Sequence, residues 1–255
     1  MNKVCAIIVN RDRADLTDNL YDQLKFMDGE FSLDICVVDM GSQTKSKYTT
    51  CGYEDERFSG KCYGHNFGLR SLDKKYDYYW FLMNDLSFQD NSSLNKMLEI
   101  MERDDDLVLL SPTELDSGYP ASKPQKGREY HLVSTCDYLS LLIKKKCIER
   151  NGFLNEKFKY CWGAIHEYAY KIYNQGWKLG YCDVVTMKHF GGTTYGKTKN
   201  TISREKYQVE AKKFARDYFR QKYGDDWNNE FSKFLPKEIR INTFNIHKKF
   251  WETSE

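Results

Sequence analysis

Continuous apolar runs alternate with helix-spaced apolar residues in the first half of the chain. Four such runs predict buried strands, at residues 4–9, 33–38, 78–83 and 107–111. Between the first two runs, apolar residues recur at helical spacing, at Leu16, Leu20, Leu24 and Met27. A second helical pattern begins near Ser92. This β-α-β order predicts a mostly parallel sheet with helices on both faces, and therefore an α/β fold.

The second half of the chain begins with a long predicted loop at residues 111–130. This segment contains three of the four prolines and two glycines, which interrupt both helices and strand ladders. Its length is typical of lids and binding loops. Further on, the pattern predicts a strand at 136–143, two helices that end at Gly152 and Gly176, and strands at 177–182 and 184–190. From Ser203 a long amphipathic helix is expected, with apolar residues at Tyr207, Ala211, Phe214, Tyr218 and Phe219.

Composition and charge exclude several classes of protein. The 255 residues include 39 Lys and Arg against 37 Asp and Glu, so the net charge of +2 does not favour a nucleic-acid partner. An aromatic content of 15% and a charged content of 30% fit neither a disordered chain nor a membrane bundle. The basic, aromatic segment 244–251 is compatible with membrane contact, but such residues more often pack on their own domain.

The cysteines and the N-terminus bear on where the protein is found. Eight cysteines are scattered without any C-x-x-C pair, which indicates free thiols in a reducing compartment. The apolar run near the N-terminus is too short for a signal sequence or a membrane span. We therefore expect a cytoplasmic protein.

Polar residues follow three of the predicted strands. Asn10 follows the first, Asp39 the second, and Asp85 the run YYWFLM. In open α/β sheets, ligands bind outside the carboxyl ends of the strands, so these residues together favour a site at that edge. The segment GKCYGHNFG adds three glycines four residues apart before a helical pattern, which is compatible with close approach of backbone to an anionic ligand.

The order of the motifs resembles a known family. The segments IIVNRDR, VVDMGS, GKCYGHNFGLR, WFLMNDLSF, NGFLNEKF and NQGWKLGYC…KHFGG occur in the order seen in family 2 inverting glycosyltransferases, in particular the rhamnosyltransferase-like members. The resemblance covers roughly residues 3–195. It implies a single domain with the metal-dependent A-type fold. Within it, residues 1–110 would form the nucleotide-binding half and 111–200 the acceptor half, with a helical extension at 201–255 packed on them.

The resemblance also implies roles for individual residues. Asn10, Arg11, Asp39, Ser42, Gly64, Asn66 and Asn84 match positions that surround the nucleotide sugar, with Gly64 and Asn66 in a turn before a helix. Asp85 matches the last acid of the family's metal motif, and His189 matches a later histidine that completes the metal shell. The implied cofactor is Mn²⁺ or Mg²⁺, which would stabilise the charge on the departing diphosphate. The implied reaction moves a sugar from a nucleoside-diphosphate sugar to an acceptor hydroxyl, on a glycan or another molecule, with inversion.

Two departures from the family pattern leave alternatives open. Met83 and Asn84 precede Asp85, so the first acid of the metal motif is missing. Ile165 and His166 stand where relatives carry an acidic pair, and Glu167 follows them. We expect Glu167 to be the catalytic base, with His166 as the substitute. A nucleotide-sugar-binding protein without activity is the alternative. A nucleotidyltransferase is disfavoured, since the segment after the first strand has no glycine.

Overall fold

The computed structural model describes residues 1–54, 60–72, 75–192, 196–197, 202–237 and 239. The basic segment at 244–251 therefore falls outside the described residues. Within the described ranges lie nine strands, seven α-helices and a short 3₁₀ helix: β1 Asn2–Asn10, α1 Ala14–Lys25, β2 Phe31–Asp39, β3 Cys51–Gly52, α2 Lys61–Arg70, β4 Tyr78–Met83, β5 Leu86–Phe88, α3 Ser93–Arg103, β6 Leu107–Glu114, the 3₁₀ helix Pro120–Ser122, β7 Tyr130–Leu132, β8 Ser140–Lys144, α4 Lys145–Asn151, α5 Ala164–Asn174, β9 Lys178–His189, α6 Arg204–Tyr223 and α7 Trp227–Ser232.

The strands form one sheet in the order β3-β2-β1-β4-β8-β6-β9-β5, with β7 paired to β9. β1 lies between β2 and β4 and is parallel to both. β6 and β9 are also parallel to each other. The carboxyl ends of these strands therefore share one edge of the sheet, as the β-α-β pattern predicts.

Three strands run in the opposite direction. β8 is antiparallel to β4 and to β6, and β5 and β7 are both antiparallel to β9. The predicted α/β class is confirmed, and the sheet is mostly parallel with these three antiparallel strands. Because β8 is reversed, its amino end lies at the edge where the parallel strands end.

A hydrophobic core covers each face of the sheet. Alternate residues of β1 point to opposite sides: Cys5, Ile7 and Val9 belong to one cluster, and Val4, Ala6 and Ile8 to the other. All of β1 from Val4 onward is buried. Burial on both faces explains why the strand is a continuous apolar run without alternation.

Three predicted boundaries in the second half are wrong, and one of them is the strand expected at 136–143, which begins only at Ser140. β6 extends through Pro112 to Glu114, so the loop begins at 115 rather than at 111. Pro112 is tolerated because β8 pairs only with Leu109 and Leu110, and the ladder to β9 shifts register directly after the proline. The two strands predicted at 177–182 and 184–190 form the single strand β9, which contains that irregularity.

The predicted C-terminal amphipathic helix is present as α6, capped by Ser203 and ended at Gly224. Phe219 is completely buried, whereas Phe214 remains 42% exposed, so the apolar side is narrower than expected. Phe219 contacts Phe158, which places α6 against the loop before α5. No helix in the described ranges combines the length and the apolar character that crossing a membrane requires.

The cap of α6 can be tested by mutation. The Ser203 hydroxyl oxygen accepts a hydrogen bond from Lys206 N at 3.3 Å. We expect Ser203→Ala to lower the free energy of unfolding by about 1 kcal/mol, because it leaves one backbone N–H of the first turn without its cap. Urea denaturation measures this change. The matched variant Ser203→Asn keeps a capping oxygen and should stay near wild type, and an equal loss in both variants would contradict the cap.

Candidate functional site

Asn10 lies at the centre of a hydrogen-bond network that joins the carboxyl ends of three neighbouring strands. Its side-chain amide donates to Asp39 Oδ2 at 3.4 Å and to Ser42 Oγ at 3.2 Å. Its carbonyl oxygen accepts from Asn84 Nδ2 at 3.3 Å and from Thr17 Oγ1 at 2.8 Å. Asn10 is completely buried. The network therefore ties together the ends of β1, β2 and β4 at the predicted edge.

The turn after β2 is closed by Asp39 and Ser42. Ser42 N donates to Asp39 Oδ1 at 2.9 Å, and the Ser42 hydroxyl oxygen accepts from Asp12 N at 2.9 Å. Arg11 is buried, and its Nη1 donates to the carbonyl oxygen of Met40 at 2.5 Å. These contacts hold the loops after β1 and β2 against each other, with the Asp39 carboxylate at the sheet edge.

Gly64 and Asn66 lie inside α2 and not in a turn before it, so that part of the prediction is wrong. A Cβ on Gly64 would come within 2.9 Å of Met40 Sδ and 3.0 Å of Val9 Cγ1. The glycine therefore allows α2 to pack closely on the sheet. Asn66 is completely buried, donating to the carbonyl oxygen of Leu154 at 2.8 Å and accepting from Leu154 N at 3.2 Å. Its amide joins α2 to the loop after α4.

A cavity of about 500 Å³ opens at the carboxyl edge of the sheet. Its walls come from the ends of β4, β6 and β9, the segment before β8, and the first turns of α5 and α6. The acidic, basic and histidine residues that line it are Lys61, Asp85, Glu114, Asp137, His166, His189 and Arg204. The aromatic residues that line it are Tyr119, Tyr138, Tyr160, Trp162 and Tyr207.

Asp85 and His189, the two predicted metal ligands, lie side by side in this cavity. The antiparallel pairing of β5 with β9 sets Leu86 opposite His189, and Phe190 N donates to the Asp85 carbonyl oxygen at 2.9 Å. Asp85 Oδ2 is 3.4 Å from His189 Nε2. Residues 104 positions apart are thus adjacent only because the last strand returns to the end of β4 through β5.

Glu114 adds a third polar group that the sequence analysis missed. Its Oε1 lies 3.7 Å from His189 Nδ1, on the side of the imidazole away from Asp85. It is the last residue of β6, and the register of β6 with β9 sets it opposite Met187. The pattern could have revealed it, since Glu114 ends a strand in the same way as Asp39, but the prolines led us to predict a loop there.

The fit of a divalent cation can be tested on this pair. Two ligands of one metal ion, each about 2.1 Å from it, lie about 3 Å apart, which is close to the separation of Asp85 Oδ2 and His189 Nε2. In the part of the chain that the structure describes, no three His, Cys, Asp or Glu side chains come close enough together to hold a metal ion. The pair therefore fits a cation that takes its other ligands from phosphate oxygens and water, as Mg²⁺ and Mn²⁺ commonly do.

Glu167, the residue predicted first as catalytic base, does not line the cavity. Its side chain is 2% exposed and points towards α6. Lys222 Nζ, Tyr223 Oη and Tyr218 Oη donate to its Oε1 at 2.6, 3.0 and 3.1 Å, and Asn155 Nδ2 donates to its Oε2 at 2.9 Å. Burial alone would raise the pKa of Glu167, but these donors outweigh burial and lower it. The carboxylate therefore joins α5 to α6.

The first turn of α5 presents Ile165 and His166 to the cavity instead. The helix begins after Gly163, whose φ of 92° lies in the left-handed region that glycine adopts readily. Along a helix, successive residues are rotated by about 100°, so the neighbours His166 and Glu167 face different directions. Of the two predicted bases, the structure brings only His166 to the cavity.

Asp137 is a further acid in the cavity wall that the sequence analysis did not single out. It lies three residues before β8, and Met83 N donates to the carbonyl oxygen of nearby Leu139 at 2.9 Å. The sequence analysis placed Asp137 inside the strand predicted at 136–143, whereas in the structure β8 begins only at Ser140 and Asp137 lies before it. Since β8 is antiparallel to β4, its amino end lies beside the carboxyl end of β4.

Comparisons with solved structures identify the architecture. The chain superimposes on a mannosyltransferase from Pyrobaculum calidifontis, solved with GDP-Man and Mn²⁺, with a TM-score of 0.65 and 14% identity over 92% of this chain and 72% of that one. It superimposes on GalNAc-T7, solved with UDP, GalNAc and Mn²⁺, with a TM-score of 0.64 and 12% identity over 99% of this chain and 56% of that one. The protein has the glycosyltransferase A fold. A segment of TarS from S. aureus shares this fold, with a TM-score of 0.58 and 13% identity over 99% of this chain and 75% of that one.

Sequence comparisons do not add a family to this fold. No protein-family model matches the chain, and no curated protein matches it either. At 12–14% identity, the similarity to solved structures establishes the fold alone. The chain also spans little more than half of the GalNAc-T7 chain. Within the glycosyltransferase A fold, the cavity with Asp85 and His189 occupies the carboxyl edge of the sheet, where α/β folds bind ligands.

Proposed function

We propose that the protein transfers a sugar from a nucleoside-diphosphate sugar to an acceptor hydroxyl, with inversion at the anomeric carbon and with the help of a divalent cation. One observation carries the proposal. In a glycosyltransferase A fold, Asp85 and His189 lie 3.4 Å apart in a cavity at the carboxyl edge of the sheet, beside the network centred on Asn10. This arrangement supports a cation site in the cavity wall, next to the end of β4, where Asn84 joins the network centred on Asn10.

On the donor side, we propose that Asp39 accepts hydrogen bonds from the base or the ribose, as an acid at a strand end does in other nucleotide-binding sheets. Asn10, Ser42 and Asn84 would hold that acid and its neighbouring loops in place, since their side chains already bond to one another. The remaining predicted donor-site residues, Arg11, Gly64 and Asn66, would act through the packing of the surrounding loops and of α2.

For the cofactor, we propose Mn²⁺ or Mg²⁺ held by Asp85 and His189. Such an ion supplies Lewis-acid stabilisation of the charge that develops on the departing diphosphate. The imidazole favours Mn²⁺, because nitrogen ligands suit transition metals better than Mg²⁺. Glu114 contacts the other side of the His189 ring, so it would orient the imidazole for binding.

For the acceptor, we propose the hydroxyl of a glycan. The rings of Tyr160 and Trp162 both pack against Tyr207 at the cavity, with centroids 5.7 and 6.2 Å from it. Aromatic faces of this kind offer large, rigid contact area to the C–H faces of a sugar ring. The eight free cysteines and the small net charge support a cytoplasmic protein without a nucleic-acid partner.

Ligand-induced stabilisation tests the donor half of this proposal. We expect UDP, GDP or dTDP together with Mn²⁺ to raise the melting temperature by about 5–10 °C when the nucleotide is at 100 times its dissociation constant. Differential scanning fluorimetry measures the shift, and the control replaces Mn²⁺ by EDTA. Equal shifts with and without the metal would contradict a cation bridged to the diphosphate, and no shift with any of the three nucleotides would contradict the donor site.

A protein that binds a nucleotide sugar without transferring it is the second candidate function. The observation that favours it is the first turn of α5, where Ile165 lines the cavity and Glu167 is engaged with α6. A nucleotide-dependent melting shift without release of nucleoside diphosphate from any donor would support this candidate.

A further inference from the structure

We propose that Asp137 is the general base that deprotonates the acceptor hydroxyl. This inference rests on the proposed function. It assigns the catalytic base to the segment before β8, whereas the sequence analysis expected the base on the helix that carries His166 and Glu167. Asp137 lines the cavity together with the Asp85–His189 pair.

The position of Asp137 is held by its backbone. Its N–H donates to the hydroxyl of Tyr181, a completely buried residue of β9, at 2.7 Å. The chain then turns, with Leu139 N donating to the Asp137 carbonyl oxygen at 3.0 Å. Both backbone groups of Asp137 are thereby engaged. Its side chain is left at a fixed point on the cavity wall.

The side chain of Asp137, in contrast, is available for substrate. No described residue donates a hydrogen bond to its carboxylate. Glu167 is the opposite case, because four donors saturate its carboxylate outside the cavity. A base must reach the hydroxyl proton of the acceptor with a free lone pair, and of these two acids only Asp137 meets that requirement.

The charges around Asp137 favour its action as a general base. Burial and the nearby Glu114 carboxylate raise the pKa of Asp137 to about 6, and they outweigh Lys61 and His189, which act in the opposite direction. A base is most effective when its pKa lies near the working pH, since it is then mostly ionised and still binds a proton well. The remaining acidic, basic or histidine residues that line the cavity are Asp85, His166 and Arg204.

In the proposed reaction, each bond that forms is matched by a bond that breaks. The acceptor hydroxyl gives its proton to a carboxylate oxygen of Asp137 while its oxygen forms a bond to the anomeric carbon. The bond between that carbon and the phosphate oxygen breaks, and its electron pair leaves with the nucleoside diphosphate. The carboxyl group of Asp137 then gives the proton to water.

The test measures release of nucleoside diphosphate from UDP-glucose, GDP-mannose and dTDP-rhamnose with Mn²⁺, using water or simple alkyl glycosides as acceptors. We expect Asp137→Asn to lower turnover by about 10²–10⁴-fold. The melting shift caused by nucleotide and Mn²⁺ should be unchanged in this variant, because the proposed role of Asp137 is towards the acceptor hydroxyl and not towards the nucleotide. Asp137→Glu, which keeps a carboxylate, should recover at least a tenth of the wild-type rate.

A pH profile separates catalysis from folding. Wild-type kcat/KM should fall on the acid side with an apparent pKa near 6, as protonation removes the base. The acid limb should persist in His166→Gln, because that variant removes one imidazole of the cavity wall and leaves the Asp137 carboxylate in place.

The outcomes distinguish this inference from the proposed function. Turnover of Asp137→Asn within threefold of wild type, loss of the acid limb in His166→Gln, or a flat wild-type profile between pH 5 and 8 would overturn the role of Asp137 and leave glycosyl transfer standing. No turnover by the wild type with any of the three donors would overturn both. If Asp137→Asn does not fold, the wild-type and His166→Gln profiles and the Asp137→Glu rate decide.

Discussion

Replacing Asp85 by asparagine is expected to lower turnover of a nucleoside-diphosphate sugar by about 10²–10³-fold. The substitution keeps the shape of the side chain, which is buried just after β4, but it replaces a charged carboxylate ligand by a neutral amide, which binds a divalent cation more weakly. The charge that develops on the leaving diphosphate would then lack its counter-ion. Steady-state release of nucleoside diphosphate at several Mn²⁺ concentrations measures the effect.

The control for this experiment is Asp225→Asn, a substitution at a carboxylate that is fully exposed to solvent. It should leave turnover and its Mn²⁺ dependence within about twofold of wild type, because an exposed charge contributes little. An Asp85→Asn variant with the wild-type Mn²⁺ dependence would contradict the proposed cation pair, even if its rate were lower.

Replacing Glu167 by glutamine is expected to lower the free energy of unfolding by about 1–3 kcal/mol. The amide has the size of the carboxylate, but it carries no charge for Lys222 and presents N–H groups to side chains that now donate to oxygen. Activity per folded molecule should stay within about threefold of wild type, because the side chain lies outside the cavity. Urea denaturation and turnover measured on the same samples check both statements.

The difference in the free energy of unfolding between wild type and Glu167→Gln is expected to depend on pH. The native contacts lower the pKa of Glu167, so its contribution is present at neutral pH and is lost as the pH falls through the folded-state pKa. Wild type and Glu167→Gln should therefore converge in acid. Glu149→Gln, at an exposed position on α4, should change stability by less than about 0.5 kcal/mol. A large loss of activity in Glu167→Gln with unchanged stability would restore Glu167 as a catalytic residue.

The strands were predictable because a strand buried on both faces is a continuous run of apolar residues. The runs that became β1 and β4, and the second half of β2, are apolar on both sides of the chain, and both sides contact a core. The polar residues that end them were equally visible, since parallel strands that share an edge bring Asn10, Asp39 and Asp85 to it. The strand that ends at Glu114 was predicted too short. A proline normally interrupts strand pairing, but β8 does not pair with Pro112, so β6 continues past it.

The helix that carries Glu167 shows the limit of matching motifs by position. The sequence places His166 and Glu167 next to each other, and either could serve as a base. Which of them meets the cavity depends on how α5 is rotated about its axis. That rotation is determined by what packs on the helix, including two residues of α6, Lys222 and Tyr223, which follow Glu167 by 55 and 56 residues in the chain.

The sequence by itself determined the α/β class, the main strands and helices, and the polar residues that end the parallel strands, because periodicity and burial are recorded within a few neighbouring residues. The family resemblance implied that Asp85 and His189 belong to one site, but the tertiary structure decided which of these residues share a cavity. The direction of β8 brings Asp137 to the carboxyl edge of the sheet, and the pairing of β9 with β5 sets His189 beside Asp85. The ion pair with Lys222 of α6 holds Glu167 outside the cavity. Each of these is a contact between distant segments, and such contacts leave no trace in local spacing.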